Sequence, residues 1–347
     1  MEELKMNNKS RFLLGAVVCL SPLAGALAHA GTLQSVEARG ALRCGVSQGL
    51  AGFSAPNAQG QWEGIDVELC KGIAVAIFND PSKVIYSALT ASERFTALQS
   101  GEVDLLSRNT TWSATRDNSL GLTFPGGVTF YDGQAFMVKR ALGVTHIADL
   151  DGATVCVTTG TLTETNLADY FDSHGLRYQA ISFDEPSQSA GGFDSGRCDV
   201  LTSDSSQLAA LRLQLSDPDS AVILPEMISK EPLAPLVRRD DESWGKLVSW
   251  TLYAMLNAEE LGVTSENAGR MRDKPPSPDI ARLLGRDGNV GEQLGLDNEW
   301  AFNVISTVGN YAEIYQRTVG DRSALNIPRG INALWNVGGI QYAPPIR

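Results

Sequence analysis

Apolar runs of strand length alternate with stretches of helix length along this chain, and this alternation constrains its fold more than any other feature. Strand-type runs occupy 41–47, 83–86 and 103–106, and helix-type stretches begin at Asp66 and Ser92. In the first of these helices apolar residues recur three and four positions apart, which is the spacing of one helix face. Alternating strands and helices predict βαβ units, in which crossover helices join parallel strands. We therefore expect an α/β fold with parallel-type sheets.

A second set of strands and helices follows and predicts a second lobe. Its strand-type runs lie at 153–157, 178–183, 197–202 and 221–224, and its helix-type stretches lie at 163–171, 187–195 and 204–215. The extended run 130–138 and the segment 232–239 are predicted to cross between the lobes. Two lobes are also expected because the roughly 317 residues after position 30 exceed what one hydrophobic core usually holds. The predicted lobes are 31–137 together with 232–347, and 138–231.

The chain after the second lobe is predicted to extend the first lobe with helices. An amphipathic pattern covers 244–261, and a proline-rich break follows at 275–278. Further helical patterns cover 280–284 and 299–315, and the tail after 327 is rich in Gly, Pro and Asn. The prediction is a C-terminal helical extension that ends in an irregular tail.

The first thirty residues have the pattern of a secretory signal peptide. Basic residues precede an apolar run at 12–27, and Ala28-His29-Ala30 is a small-residue cleavage motif. The run is shorter than the ~20 residues of a bilayer span, and Pro22 interrupts it. A retained membrane anchor is the alternative. We expect residues 1–30 to be a signal peptide that is cleaved near Ala30, which makes the protein an exported one.

Cysteine usage points to disulfides. Of the five cysteines, one lies in the predicted signal peptide, and the others are Cys44, Cys70, Cys156 and Cys198. An even number in an exported chain favours two disulfides, and four cysteines permit three pairings. Proximity along the chain favours Cys44–Cys70 and Cys156–Cys198, each within one lobe. Four buried free thiols are the alternative.

Charge and motif content argue against several classes of function. The formal net charge of −12 disfavours a nucleic-acid or anionic-membrane partner. The three histidines have no metal-ligand spacing, which argues against a zinc enzyme. No nucleophile elbow, P-loop or dinucleotide-binding glycine motif occurs where its fold would require it. We expect no cofactor, no metal, no catalytic residue and a monomer.

The turn after the run 103–106 is the most promising site in the first lobe. It contains Asn109, Thr111 and Arg116. In an open α/β sheet, ligands bind beyond the carboxyl ends of the strands. Arg116 can bind a carboxylate with two hydrogen bonds, and Asn109 and Thr111 can bind at shorter range. An ordinary helix N-cap with an exposed Arg116 is the alternative.

Two polar turns also follow strands of the second lobe. Thr161 precedes a helix whose first N–H groups can bind an anion, and Asp204 can accept from an ammonium. If the lobes face each other, the cleft suits a zwitterion, with its carboxylate on Arg116 and its ammonium on Asp204. Plain N-capping by Thr161 and Asp204 is the alternative.

Several segments together resemble a known family. They are 64–67, 94–101, 107–112, 131–134, 196–199, 224–226 and 329–335. The chain resembles the periplasmic solute-binding proteins of polar or general L-amino-acid ABC transporters, the bacterial extracellular solute-binding proteins of family 3. This resemblance implies a type II two-lobe periplasmic-binding-protein fold with the ligand in the inter-lobe cleft. It also implies two crossing strands, hinge closure, and an inner-membrane permease as partner.

The resemblance also implies roles for single residues. Arg116 is similar to the arginine that binds the ligand's α-carboxylate, and Asp204 to the aspartate that binds its α-ammonium. Asn109, Thr111 and Thr161 match polar ligand contacts. The implied function is the capture of L-amino acids, acidic and polar ones included.

Two positions bear on ligand selectivity. Arg94 resembles the residue that binds the side-chain carboxylate in glutamate- and aspartate-binding members. A solvated Arg94 paired with Glu93 or Glu102 is the alternative. Leu162 stands where a hydroxyl residue is usual, so that one side-chain contact is lost.

Two other classes of function compete with binding. A periplasmic enzyme on the same fold, such as a dehydratase of an amino-acid-like acid, needs a buried general acid in the cleft, and Asp204 is the one obvious choice. A sensor domain needs a membrane span or a signalling module, and the sequence contains neither pattern.

Overall fold

The computed structural model describes residues 1–2 and 31–347, and the structural statements below refer to these residues. The predicted signal peptide therefore lies outside the described residues except for its first two positions, and so does its cleavage site. Among the described residues, no helix combines the length and the apolar composition needed to cross a membrane.

The helices and strands follow the predicted alternation closely. The strands are β1 (Leu42–Val46), β2 (Ala55–Pro56), β3 (Trp62–Glu63), β4 (Val84–Ala88), β5 (Leu105–Leu106), β6 (Leu122–Thr123), β7 (Phe130–Asp132), β8 (Gln134–Lys139), β9 (Ala153–Thr158), β10 (Tyr178–Phe183), β11 (Val200–Asp204), β12 (Ala221–Ile223), β13 (Glu231–Leu233) and β14 (Val237–Arg238). The helices are α1 (Thr32–Arg39), α2 (Ile65–Phe78), α3 (Arg94–Gln99), α4 (Ala114–Ser119), α5 (Leu162–Ser173), α6 (Pro186–Asp194), α7 (Ser205–Arg212), α8 (Glu242–Glu260), α9 (Ala268–Asp273), α10 (Pro278–Leu283), α11 (Val290–Gln293), α12 (Trp300–Val308) and α13 (Tyr311–Thr318).

The first sheet has the strand order β4-β1-β5, and all three strands are parallel. Cys44 in β1 lies opposite Tyr86 on one side and Leu105 on the other. Because the strands are parallel, the turns after β1 and β5 lie at the same edge. The predicted βαβ arrangement is confirmed here.

The second sheet has the order β10-β9-β11-β8-β12 and is mixed. Strands β9, β10 and β11 are parallel, whereas β8 is antiparallel to both β11 and β12. The run 130–138, predicted as a crossing segment, leaves the pairing with β13 at Asp132 and joins the second sheet at Gln134. Gly133 separates the two strands, and a Cβ there would lie 2.8 Å from the carbonyl oxygen of Ser229.

Two short antiparallel pairs join strands that precede the second sheet in sequence to strands that follow it. Strand β7 pairs with β13, with Tyr131 opposite Pro232, and β6 pairs with β14. All of β8 (Gln134–Lys139) pairs in the second sheet, so it spans the predicted boundary at 137/138. The division into lobes at these positions stays a prediction, and the pairing of β8 favours a boundary near Gly133.

The hydrophobic core is distributed over both sheets. Helices α2, α8, α12 and α13 share one large cluster with β1, and Trp244, Tyr311 and Tyr315 are its largest fully buried side chains. The second sheet is covered on both faces, with Phe193 in one cluster and Phe171 in the other. The C-terminal extension thus packs with the first sheet and contributes to its core.

One predicted helix is divided into two. The pattern 299–315 predicted a single helix, but α12 ends at Val308 and α13 begins at Tyr311. Gly309 has a φ of 96°, which no helix accommodates. Asn310 then starts the next helix through a capping box with Glu313, in which each side chain accepts the other residue's N–H. The break therefore comes from local chemistry at two residues that the apolar pattern does not register.

Both predicted disulfides are confirmed. Cys44–Cys70 joins β1 to α2, and Cys156–Cys198 joins β9 to the turn before β11. The alternative of four buried free thiols is therefore wrong. Each bond lies within the neighbourhood of one sheet, so neither restricts a movement of one lobe against the other.

Candidate ligand-binding site

The turn after β5 is held in place by Asp66, at the start of α2. Its carboxylate accepts from Ser107 Oγ at 3.3 Å and from the Asn109 backbone N–H at 2.9 Å. Asn109 has a φ of 33°, a left-handed conformation that asparagine tolerates better than most residues. Burial raises the pKa of Asp66 to about 7, although these hydrogen bonds and the charge of Arg108 lower it. The sequence signal for this role was an aspartate in the first turn of a predominantly apolar helix.

Arg116 points inward. Its side chain is buried, its Nη1 donates to the Thr111 carbonyl at 3.0 Å, and its guanidinium lies 5.3 Å from the centre of the Phe95 ring. Arg116 is 7% exposed, so the alternative of an exposed Arg116 is wrong. The expected N-cap is present as well, because Ser113 Oγ accepts the Arg116 N–H. One short helix therefore carries both features.

Arg94 is buried beside Arg116. It is 3% exposed, it lies 4.7 Å from the Phe95 ring centre, and its Nε has no hydrogen-bond partner among the described residues. Glu93 accepts from Thr90 instead, and the alternative of a solvated Arg94 is therefore wrong. Burial, followed by the charges of Arg108 and Arg116, lowers the pKa of Arg94.

Arg108 is a third buried cation, and the sequence analysis missed it. Its Nε donates to the Leu89 carbonyl at 2.9 Å. Burial lowers its pKa to about 10, which leaves it charged at neutral pH. The three arginines give this side of the site a concentrated positive charge, and that charge favours an anionic ligand.

Asp204 ends β11 and provides an acidic group that lines the same cavity. It is 6% exposed, and it accepts no capping hydrogen bond from α7, although it occupies the N-cap position. Burial, followed by the charges of Asp132 and Glu231, raises its pKa well above the ordinary range, while Arg116 and Arg94 oppose this effect. The capping alternative is therefore wrong for Asp204.

Thr161 does act as an N-cap. Its Oγ1 accepts the Glu164 N–H at 3.4 Å and donates to the Thr158 carbonyl at 2.6 Å. The hydroxyl of Thr163 lies 2.8 Å from the same oxygen. Leu162 stands where a hydroxyl residue is usual, and the neighbouring Thr163 provides a hydroxyl at this turn.

Two residues that the sequence analysis missed connect the lobes. Glu231 of β13 accepts from Thr111 Oγ1 at 2.5 Å and from Asn166 Nδ2 at 2.9 Å. Gln207 Oε1 of α7 accepts from Asn109 Nδ2 at 3.0 Å. Each contact joins residues far apart in sequence, so no local pattern could have found them. The carboxamide oxygen of Asn109, Oδ1, is buried without a hydrogen-bond partner among the described residues.

All six predicted site residues line one cavity between the two sheets. The lining residues are Ala91, Arg94, Arg108, Asn109, Thr111, Arg116, Thr158, Thr161, Leu162, Thr163, Pro186, Ser203, Asp204, Gln207 and Glu231. The cavity measures about 30 Å³. In the described part of the chain, no cluster of His, Cys, Asp or Glu has the arrangement of a metal site.

Comparisons with known proteins identify relatives of this chain. The profile of the bacterial extracellular solute-binding proteins, family 3, matches residues 42–267. The general L-amino acid-binding periplasmic protein AapJ of Rhizobium johnstonii is 53% identical and covers 99% of this chain and 100% of the relative. The glutamate/glutamine/aspartate/asparagine-binding protein BztA of Rhodobacter capsulatus is 47% identical and covers 98% and 99%.

A solved structure agrees with these relatives. It is an ABC transporter periplasmic binding protein from Brucella ovis with glutathione bound. It is 50% identical, with a TM-score of 0.90, and it covers 92% of this chain and 100% of that chain. The predicted two-lobe fold is thereby confirmed, since that chain aligns over its whole length. On the strength of the matched profile and these full-length relatives, the chain belongs to the bacterial extracellular solute-binding proteins, family 3.

Proposed function

We propose that this protein is the amino-acid-binding component of an ABC transporter and that it closes on L-amino acids between its lobes. The observation that carries the proposal is that Arg116 and Asp204, a buried arginine and a buried aspartate, line the same cavity. Arg116 lies in α4, after the first sheet's β5, and Asp204 ends β11 of the second sheet. The α-carboxylate of a ligand would bind Arg116, and its α-ammonium would bind Asp204. An ammonium beside Asp204 would favour its charged form, which burial disfavours.

The proposed ligand range includes acidic and polar amino acids. Arg94 Nε and Asn109 Oδ1 are both buried without a hydrogen-bond partner among the described residues. The side-chain carboxylate of an acidic ligand could accept from Arg94 Nε. The side-chain amide of a ligand could accept from Arg94 Nε and donate to Asn109 Oδ1. The names of AapJ and BztA, which describe general L-amino acid binding and binding of Glu, Gln, Asp and Asn, support this range.

Glutathione is a second candidate ligand because the Brucella ovis relative was solved with it bound. Its γ-glutamyl group keeps a free α-carboxylate and a free α-ammonium, so Arg116 and Asp204 could bind it as they would bind glutamate. Its distant glycine carboxylate would need another cation, and Arg94 and Arg108 are the cations at hand.

We further propose that the protein works in the periplasm, delivers its ligand to an inner-membrane permease and does not turn it over. The signal-peptide pattern of residues 1–30 and the periplasmic location in the name of AapJ support the first point. The names of the relatives as binding proteins support the last. A dehydratase would use Asp204 as a general acid and would consume its ligand.

One experiment tests this function. The mature chain, residues 31–347, is screened by thermal shift against the twenty amino acids and glutathione, with Arg116→Met as the matched control. We expect stabilisation of the wild type by several amino acids and none of the variant. Stabilisation of neither protein by any of them would contradict the proposal. Ligand recovered chemically unchanged after long incubation is expected, and a dehydrated product would favour the enzyme.

A further inference from the structure

The strand β7, which crosses towards the second sheet, pairs with β13 on one edge. On its other edge it is hydrogen-bonded by the C-terminal extension. Tyr131, at the centre of β7, lies opposite Pro232 of β13. In an antiparallel pair, residues alternate between exchanging hydrogen bonds with their partner and pointing their backbone groups away from it. Tyr131 is in the second class, since Pro232 has no N–H to offer and its carbonyl instead accepts from the Trp112 N–H at 2.8 Å. The backbone groups of Tyr131 therefore need partners on the outer side.

The side chain of Asn332 supplies both partners. Its Oδ1 accepts the Tyr131 N–H at 2.7 Å, and its Nδ2 donates to the Tyr131 carbonyl at 2.9 Å. A carboxamide presents one acceptor and one donor side by side, as a neighbouring strand would. Asn332 is 4% exposed. It thus replaces a strand at the edge of β7 from a position 201 residues further along the chain.

Asn332 is itself held by a partly buried cation, Arg329. Arg329 donates from Nε and Nη2 to the Asn332 carbonyl, at 3.1 and 2.9 Å, and from Nη2 to Glu259 at 3.0 Å. Its guanidinium lies 5.2 Å from the ring centre of Tyr311 and 4.8 Å from that of Tyr315. These partners belong to α8 and α13, so the carboxamide is anchored to the helices that cover the first sheet.

The residues before Tyr131 are bonded by the same extension. Tyr311 Oη donates to the Thr129 carbonyl at 2.7 Å, and Gln341 Nε2 donates to the Val128 carbonyl at 2.9 Å. Tyr311, Arg329, Asn332 and Gln341, which we call the hinge brace, all follow residue 267, where the match to the family profile ends. None of the hydrogen bonds given above for the brace involves a residue of the cavity lining.

We propose that the hinge brace sets the pivot of the clamp, and that Asn332 is a positioning residue for ligand closure. With Val128, Thr129 and Tyr131 bonded to the first lobe, the chain becomes free to turn only from Asp132 and Gly133 onward. The two lobes then approach along one path, which aligns Arg116 with Asp204. Without the brace, β7 moves with either lobe, and a smaller fraction of the protein has the aligned geometry. Apparent affinity falls by that fraction for every ligand.

The test compares Asn332→Ala with Asn336→Ala, an exposed asparagine four positions later in the same tail. The distance between labels at the exposed residues Gln59 and Gln179, attached by a chemistry that leaves the disulfides intact, is measured without ligand. We expect a broader distance distribution for Asn332→Ala and a wild-type distribution for the control. This readout needs no ligand, so it remains decisive if the proposed ligand class is wrong.

Affinity gives the second readout. For Asn332→Ala we expect the Kd to rise about fivefold. The factor should be the same for two ligands with different side chains, because the brace contacts neither ligand. Wild-type distances, or a change of Kd for one ligand alone, would overturn the proposal. Asn332→Asp keeps the acceptor for the Tyr131 N–H and turns the donor into a second acceptor, so it should show the same effects if Asn332→Ala does not fold. Failure of both variants to fold would make Asn332 a general stabiliser and would also overturn the proposal.

Discussion

The carboxylate of Asp132 accepts the backbone N–H of Ser206 at 3.2 Å and is also bonded to the Ser206 hydroxyl. Asp132 therefore caps α7, the helix that Asp204 would cap by its position in the sequence. Because the cap comes from the crossing strand β7, the carboxylate of Asp204 stays available in the cavity. Burial raises the pKa of Asp132 to about 6, against the effect of these hydrogen bonds.

The variant Asp132→Ala tests whether Asp132 caps α7 in place of Asp204. Loss of the cap should cost about 1 kcal/mol of stability, and Asp204 should then turn to cap α7 itself. We expect amino-acid affinity to fall at least about tenfold as a result. Ser277→Ala removes the cap of the remote helix α10 and serves as the control for stability alone. Equal affinities of the two variants, measured by calorimetry, would refute the role of Asp132.

The ionic anchors should be essential for every amino-acid ligand. A charge-assisted hydrogen bond contributes roughly 1.5–3 kcal/mol, and loss of one partner of a buried pair costs more. Arg116→Met or Asp204→Ala should therefore weaken binding at least about a hundredfold, with the fold intact by circular dichroism. Arg197→Met, at an exposed arginine, is the matched control. Unchanged affinity in a folded Arg116→Met protein would remove Arg116 from the site.

Arg94 should select the side chain of the ligand. Arg94→Ala should weaken glutamate binding by roughly 2 kcal/mol, a factor of about thirty, because a bidentate partner of the second carboxylate is lost. Alanine binding should change little. Calorimetry with both ligands on both proteins measures the difference directly. Equal losses for glutamate and alanine would mean that Arg94 shapes the site without selecting its ligand.

Stability should fall as the pH rises from about 4 towards 7, in part because of Asp66. Its pKa is about 7 in the folded protein, against an ordinary value of 3.8. Between these values the unfolded chain has released the proton while the folded protein still holds it, so rising pH favours unfolding. Asp66→Asn, which mimics the protonated form, should lose less stability over this range. Urea titrations at several pH values compare the two, and parallel profiles would contradict the assignment. Asp132 is present in both proteins and cancels from the difference.

The second disulfide should stabilise the protein without affecting binding. The Cys156–Cys198 bond closes a loop with a sequence separation of 42 residues. In the chain-entropy model such a loop contributes about 3–4 kcal/mol. The free energy of unfolding of the double variant Cys156→Ser, Cys198→Ser, measured by urea titration, should be lower by about 3–4 kcal/mol. Its amino-acid affinity should stay within about twofold of the wild type. A large loss of affinity at a temperature where the variant is folded would show that the bond shapes the cleft.

The sequence determined those features that depend on neighbouring residues. The alternation of strands and helices, the pairing of Cys156 with Cys198 and the polar turns at the ends of β5, β9 and β11 could all be predicted from local patterns. Arg116 and Asp204 were found in the same way, because strand ends of parallel sheets gather at one edge. The N-cap of α4 by Ser113 likewise follows from a local motif.

Tertiary structure alone decided which of these groups are available to a ligand. Asp66 fixes Asn109 from 43 positions away, Asp132 relieves Asp204 of its cap, and Asn332 bonds Tyr131 across 201 positions. These contacts satisfy buried hydrogen-bonding groups whose partners depend on how the whole chain packs. Hydrophobic periodicity records which face of an element is buried, but it carries no information on which distant polar group will meet that face. Which carboxylates accept structural hydrogen bonds and which remain available in the cavity was for this reason decided only by the folded protein.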